Sequence, residues 1–190
     1  GCDIAKALVA VLEREIPVGI ATGRGTSVRR DLRQALPPSV WDRVLIGYYN
    51  GFEMGRLDED NSPRDALPSA EIRLLSKELH AHPLISSNAA CELSSGQISL
   101  TTNGSVGLET LYQVVAKIVG ERKFAVTMSS HAVDVTPAEV SKLAVLITMR
   151  RAFGLASSDP ILCIGDRGRP PGNDSALLTQ PCSLSVHEVS

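Results

Sequence analysis

Two short apolar runs constrain the fold of this 190-residue chain more than any other feature: IPVGIA at 16–21 and RVLIGYY at 43–49. Their apolar stretches do not alternate with polar residues, so each predicts a strand covered on both faces. Between them lie TGRGTS and VRRDLRQAL, the latter an amphipathic helix stopped by Pro37-Pro38. Before them, Ile4, Ala7, Leu8, Val11 and Leu12 mark a helix over 3–15. Helix–strand–helix–strand is the order of a parallel α/β sheet.

The pattern then changes. EMGRLDEDNSPRDALP, 53–68, is polar and carries prolines, which predicts a linker, or an edge strand followed by a loop. Ile72, Leu75 and Leu79 space a helix over 69–80. ACELSSGQISLTT, 90–102, reads as a hairpin turning near Ser95-Gly96. Leu108, Leu111, Val115 and Ile118 mark a helix over 107–119, and FAVTMSSHAVDV, 124–135, a hairpin turning near Ser130. Helix–hairpin–helix–hairpin predicts a small antiparallel sheet with two helices on one face, inserted into the α/β core. The core resumes with a helix over 141–153. Its start is open, because Thr136-Pro137-Ala138-Glu139 resembles a capping box that would begin the helix before Lys142. PILCIG at 160–165 is a strand, 174–179 a helix start and CSLSV at 182–186 a last strand. The division is therefore core 1–52, inserted α+β domain 53–138, core 139–190.

Net charge is −2, with no basic excess to suit nucleic acid or an anionic membrane. No run approaches the roughly 18 apolar residues of a membrane helix, and the first residues lack the pattern of a signal peptide. Cys2, Cys91, Cys163 and Cys182 form no C-x-x-C pair, and His80, His82, His131 and His187 show no ligand spacing with them. Reduced thiols suit a cytoplasmic protein. Oligomeric state is not legible.

Ligands of parallel α/β sheets bind at the carboxyl ends of strands. Three polar clusters fall there: Thr22-Gly23-Arg24, Asn50-Gly51, and Gly165-Asp166 with Asn173-Asp174. Lys142 stands near a helix start. Taken singly, these are a helix cap, a turn and a solvated lysine. The last cluster is harder to dismiss, since two carboxylates and an amide crowded at a strand end repel unless a cation joins them, and hard oxygens are what Mg²⁺ takes. A hydroxyl and free amides suit a phosphate, and a lysine would offset its charge.

Together the four clusters resemble the haloacid dehalogenase (HAD) superfamily of phosphatases. GIATGRG resembles its second motif, Lys142 in VSKLAVL its third, and LCIGDRGRPPGND its fourth. YYNG resembles a turn of the Cof-type branch, and the insert its type IIB cap. The resemblance implies a HAD-like, Rossmann-like α/β core with an inserted α+β cap. It implies that Thr22 and the Gly23 backbone hold a phosphoryl group and that Lys142 stabilises charge. Asp166 would ligate Mg²⁺, with Asn173 and Asp174 completing that network. Arg24, Asn50 and Gly51 would line the substrate entrance. The partner is then a small-molecule phosphate ester such as a sugar phosphate, cleaved through an aspartyl-phosphate.

Three departures matter. Six residues, Arg167 to Gly172, separate Asp166 from Asn173, a spacing more like the phosphomannomutase branch, which keeps mutase chemistry open. Leu143 follows Lys142 where Cof-type sequences often have Gly. The first motif, D-x-D-G-T after an apolar strand, is missing, and Asp3 in GCDIAKA cannot replace it. In this fold that strand would lie between those at 161–164 and 16–21. The expectation is a truncated piece, inactive as given, with about 20–40 residues upstream. A non-catalytic phosphate- or Mg²⁺-binding module, or an unrelated α/β binding domain, is the alternative.

Overall fold

A computed structural model describes residues 2–60 and 67–186. Part of the 53–68 linker and His187 lie outside the described residues. The chain forms two compact units, residues 1–64 with 141–161 and residues 65–140 with 162–190.

In the first unit, helix α1 (Cys2–Leu12) leads to β1 (Val18–Ala21), α2 (Ser27–Ala35), a 3-10 turn (Pro38–Arg43), β2 (Val44–Tyr48) and β3 (Glu53–Arg56). β1 runs parallel to β2, with Val18 opposite Val44 and Ala21 opposite Gly47. β3 pairs antiparallel with β2, so the sheet order is β1-β2-β3 and the polar stretch after 52 opens as an edge strand. β2 is buried along its whole length, as a non-alternating run requires. One face packs against Leu12, Val28, Leu36 and Val40, from α1, α2 and the 3-10 turn. The other receives Val145 and Met149 of α6 (Leu143–Ala152).

That second contact depends on two strand glycines. A Cβ on Gly19 would run into Met149 Sδ, and one on Gly47 into Val145 Cγ2. A glycine within a strand often marks such an approach.

In the second unit, α3 (Ala70–Ala81), α4 (Pro83–Asn88), β4 (Ala89–Leu93), β5 (Ile98–Thr102), α5 (Leu108–Val119), β6 (Phe124–Met128) and β7 (Ala132–Pro137) follow in order. Both expected hairpins form, and β5 pairs with β7 to give an antiparallel sheet in the order β4-β5-β7-β6. Ile72, Leu75, Leu79, Leu111, Val115 and Val119 pack with Ile98, Leu100, Val133 and Val135. The short α4 is an addition to the expected pair of helices. Pro83 stops α3 but is well placed in a first helical turn, and Ile85 joins the core.

Of the two helix starts left open, the later one forms. Thr136 and Pro137 close β7, where Thr136 pairs with Ala125. The helix begins instead at Leu143, with Lys142 already helical before it. The same unit holds β8 (Cys163–Gly165), the one-turn α7 (Ser175–Leu178) and β9 (Ser183–Ser185). β8 and β9 form a separate two-stranded parallel sheet. Among the described residues, β1 has only β2 as a strand neighbour and β8 only β9.

Gly47→Ala should destabilise the protein by about 1–3 kcal/mol through overpacking against Val145. Urea unfolding should show a lower midpoint at unchanged slope, and Gly47→Ala with Val145→Ala should recover part of the loss.

Candidate functional site

In the first unit the loops after β1 and β2 are laced together. The Thr22 N–H donates to the Gly47 carbonyl (2.9 Å), the Asn50 N–H to the Thr22 carbonyl (2.8 Å) and the Tyr49 N–H to the Arg24 carbonyl (3.3 Å). Thr22 Oγ1 accepts the Arg24 N–H at 3.1 Å. Its own hydroxyl hydrogen meets no acceptor among the described residues and is available to an anion.

The turn after β2 is left-handed at three consecutive residues, with φ of 50° at Tyr49, 58° at Asn50 and 96° at Gly51. For Tyr49 that geometry costs about 1–2 kcal/mol. Strain of this kind collects at sites that need a fixed backbone. Gly51 is also wedged, since a Cβ there would lie 2.6 Å from the Ser141 carbonyl oxygen. The turn therefore presses on the residue before Lys142. Lys142 is buried and has an interaction partner, so the solvated-lysine reading does not hold.

Arg24, expected at a substrate entrance, makes a local ion pair. It is exposed, and its guanidinium holds Asp31 of α2 at 2.5 Å and Ser27 Oγ at 3.1 Å. The Arg24 guanidinium in turn keeps the Asp31 carboxyl below its ordinary value of 3.8. Asp31 was not singled out in the sequence, although it lies one helix turn beyond Ser27, on the same face.

In the second unit, Asp166 follows β8 directly. Asp174 is buried, and its Oδ2 accepts the N–H groups of Asp166 (3.0 Å) and Arg167 (3.2 Å). Its own N–H donates to the Arg167 carbonyl at 3.1 Å. Asp174 thus clamps the loop that presents Asp166. The Asp166 carboxylate is half-buried and makes no hydrogen bond or ion pair with the described residues. That suits a Mg²⁺ ligand, because Mg²⁺ takes one or two carboxylates and keeps several waters. No group of three or more His, Cys, Asp or Glu gathers among the described residues, so the protein share of such a shell would rest on Asp166 with its neighbours Asn173 and Asp174.

The thiols lie apart from these clusters. Burial pushes the Cys91 and Cys163 thiols up, while Cys182 is exposed. No helix among the described residues is long and apolar enough to cross a membrane.

A HAD/COF-like hydrolase from Plasmodium vivax matches with a TM-score of 0.69 at 12% identity, over 92% of this chain and 72% of its own. The chain has the fold of the haloacid dehalogenase-like hydrolases. An N-terminally truncated, IMP-bound IMP-nucleotidase from Plasmodium falciparum shares this HAD-like fold at a TM-score of 0.67 and 15% identity, over 96% of this chain and 57% of that one. A sucrose-phosphatase from Synechocystis, in complex with sucrose and phosphate, matches at 0.64 and 15%, over 99% and 76%. The chain thus spans little more than half the length of the nucleotidase. No protein-family model and no curated protein matches the sequence.

Of the residues singled out, Thr22, Gly23, Asn50, Gly51 and Lys142 belong to the first unit of this HAD-like fold, and Asp166, Asn173 and Asp174 to the second. The Arg24–Asp31 pair gives a direct check. Because the folded value of Asp31 is depressed, the pair's contribution is present above about pH 3.8 and is lost as pH falls through the lower folded value. Carboxyl NMR titration should place Asp31 below 3.8 in the wild type and return it towards 3.8 in Arg24→Gln.

Proposed function

We propose that this fold works as a Mg²⁺-dependent phosphatase acting on a small phosphorylated metabolite, with sugar phosphates as the substrate class. The observation that carries this reading is the convergence, within one compact unit, of the Thr22 loop, the strained Asn50-Gly51 turn and the buried start of the Lys142 helix. The nucleotidase and sucrose-phosphatase with the same fold act on phosphate esters, which supports the class of reaction.

Thr22 donates its hydroxyl to a phosphoryl oxygen, and the Gly23 amide lies beside it. Lys142 offsets the charge that builds when two anions meet. Asn50 and Gly51 border the entrance, and Arg24, tied to Asp31, shapes it. Asp166 holds the cation, with Asn173 beside it and Asp174 keeping the loop in place. Bound there, Mg²⁺ would supply Lewis-acid stabilisation of phosphoryl charge. The division into core (1–52, 139–190) and substrate-selecting cap (53–138) belongs to this reading, as does a cytoplasmic setting.

The nucleophile is outside this reading's own residues. No D-x-D-G-T occurs in the sequence, and β1 and β8 each keep one side without a strand neighbour among the described residues. A strand ending in that motif would use such an edge and carry the aspartate that becomes phosphorylated. The six-residue spacing between Asp166 and Asn173 favours one second reading, transfer of the phosphoryl group to another sugar phosphate instead of water.

With Mg²⁺ and a panel of sugar phosphates, these 190 residues alone should release phosphate no faster than background. A longer chain carrying an upstream strand that ends in D-x-D-G-T should turn over and should stop on chelation of the metal. In that longer chain Lys142→Ala should lower kcat by roughly 10²–10³. Turnover by the short chain, or full activity without Lys142, would refute the assignment. A bisphosphate product or a transferred label would point to the mutase.

A further inference from the structure

The loop that carries Asp166 is gripped by a second element of its own compact unit. Strand β6 lies at the edge of the four-stranded sheet and ends at Met128. Its ladder to β7 uses one side of the strand. On the other side, the Met128 N–H donates to the Pro171 carbonyl (2.9 Å) and the Met128 carbonyl accepts the Asn173 N–H (3.2 Å). These two bonds form a parallel β-bridge between Met128 and Gly172.

The bridge holds the loop where it is most tightly folded. Gly172 is buried, and a Cβ there would run into the carbonyl oxygens of Arg167 and Arg169. The Gly172 N–H donates to the Arg169 carbonyl at 2.7 Å. Two residues on, Asp174 clamps the amides of Asp166 and Arg167. A continuous path of main-chain and carboxylate hydrogen bonds therefore runs from the end of β6 to the backbone of Asp166.

We propose that the main chain of Met128 is a positioning element for the metal loop. By bridging Gly172 it fixes the backbone from which Asp166 presents its carboxylate, and it thereby raises the affinity for Mg²⁺. The physical reason is preorganisation, since a Gly-, Pro- and Arg-rich loop left loose would have to be ordered by the cation itself. The sheet of the second unit and the metal loop then respond to Mg²⁺ as one body. The Mg²⁺ part rests on the assignment of Asp166 as ligand; the anchoring part does not.

Met128→Pro removes the outward N–H together with a side chain that packs on the core, and proline is tolerated at an edge strand when its N–H side faces away from the ladder. Met128→Leu keeps both bonds. Hydrogen exchange at the Asp166 and Arg167 amides should quicken roughly three- to tenfold in Met128→Pro, the effect of losing one hydrogen bond, and stay at the wild-type rate in Met128→Leu. Amides of the β5–β7 ladder should not change. If the proline also loosens that ladder, Gly172→Ala, which forces the loop open without changing any residue of β6, should quicken the same two amides. With Mg²⁺ alone as probe, the concentration that half-protects the loop should rise by a similar factor in Met128→Pro, and Asp166→Asn should abolish the response. Unchanged Asp166 and Arg167 exchange in both loop-releasing variants overturns the anchoring. Faster exchange with an unchanged Mg²⁺ midpoint overturns the link to affinity. A wild-type protein indifferent to Mg²⁺ overturns the ligand assignment and leaves the anchoring standing.

Discussion

The strand ends of the first unit depend on how closely α6 lies on β1 and β2. Gly19 and Gly47 leave room for Met149 and Val145, and each of those side chains, once buried, contributes about 1.5–3 kcal/mol. The close approach brings the start of the helix against the turn after β2, where Gly51 meets the Ser141 carbonyl. Lys142 is buried as a consequence of where its helix is seated. A larger residue in either strand would lift the helix and carry the lysine away from the strand ends.

That packing also explains how a strained turn survives. Left-handed backbone at Tyr49 and Asn50 opposes folding, yet their amides are bonded into the loop after β1 and Gly51 is pressed on the Ser141 carbonyl ahead of α6. The surroundings over-determine the conformation. Arg24 illustrates the reverse case. Its guanidinium is spent on Asp31 and Ser27, so it shapes the loop by its backbone and its ion pair.

The second unit separates its two tasks by sheet face. The face towards α3, α4 and α5 is closed by aliphatic side chains. Alternate positions on β7 point the other way, where buried Asp134 accepts Gln97 Nε2 at 3.1 Å and Ser99 Oγ at 2.8 Å. Such a carboxylate is tolerable in a sheet only because neutral donors surround it. At the rim of the same sheet, β6 offers its outer main-chain groups to the loop that carries Asp166, which uses an edge that would otherwise be open to another chain.

The amino-acid sequence by itself determined the element order, the two hairpins, and the residue types at the strand ends. Those follow from periodicity and turn chemistry, which are local. It also carried the glycines of the two apolar runs, whose purpose is visible only once Val145 and Met149 lie over them. Local pattern left the helix start open at 136–139, because Thr-Pro-Ala-Glu satisfies a cap while Thr136 is held in a ladder with Ala125. The run at 160–165 forms its strand only over Cys163–Gly165, and among the described residues β8 pairs with β9 alone, which leaves Ile164 exposed. Only the tertiary structure decided that Lys142 is buried, that Arg24 belongs to Asp31, that Asp174 is a clamp and that Met128 grips Gly172. Lys142 is buried by segments distant in sequence, the Met128 bond is main-chain and blind to side-chain identity, and the Arg24–Asp31 and Asp174–Asp166 contacts join residues seven and eight positions apart across irregular loops, so none leaves a periodic trace in the chain.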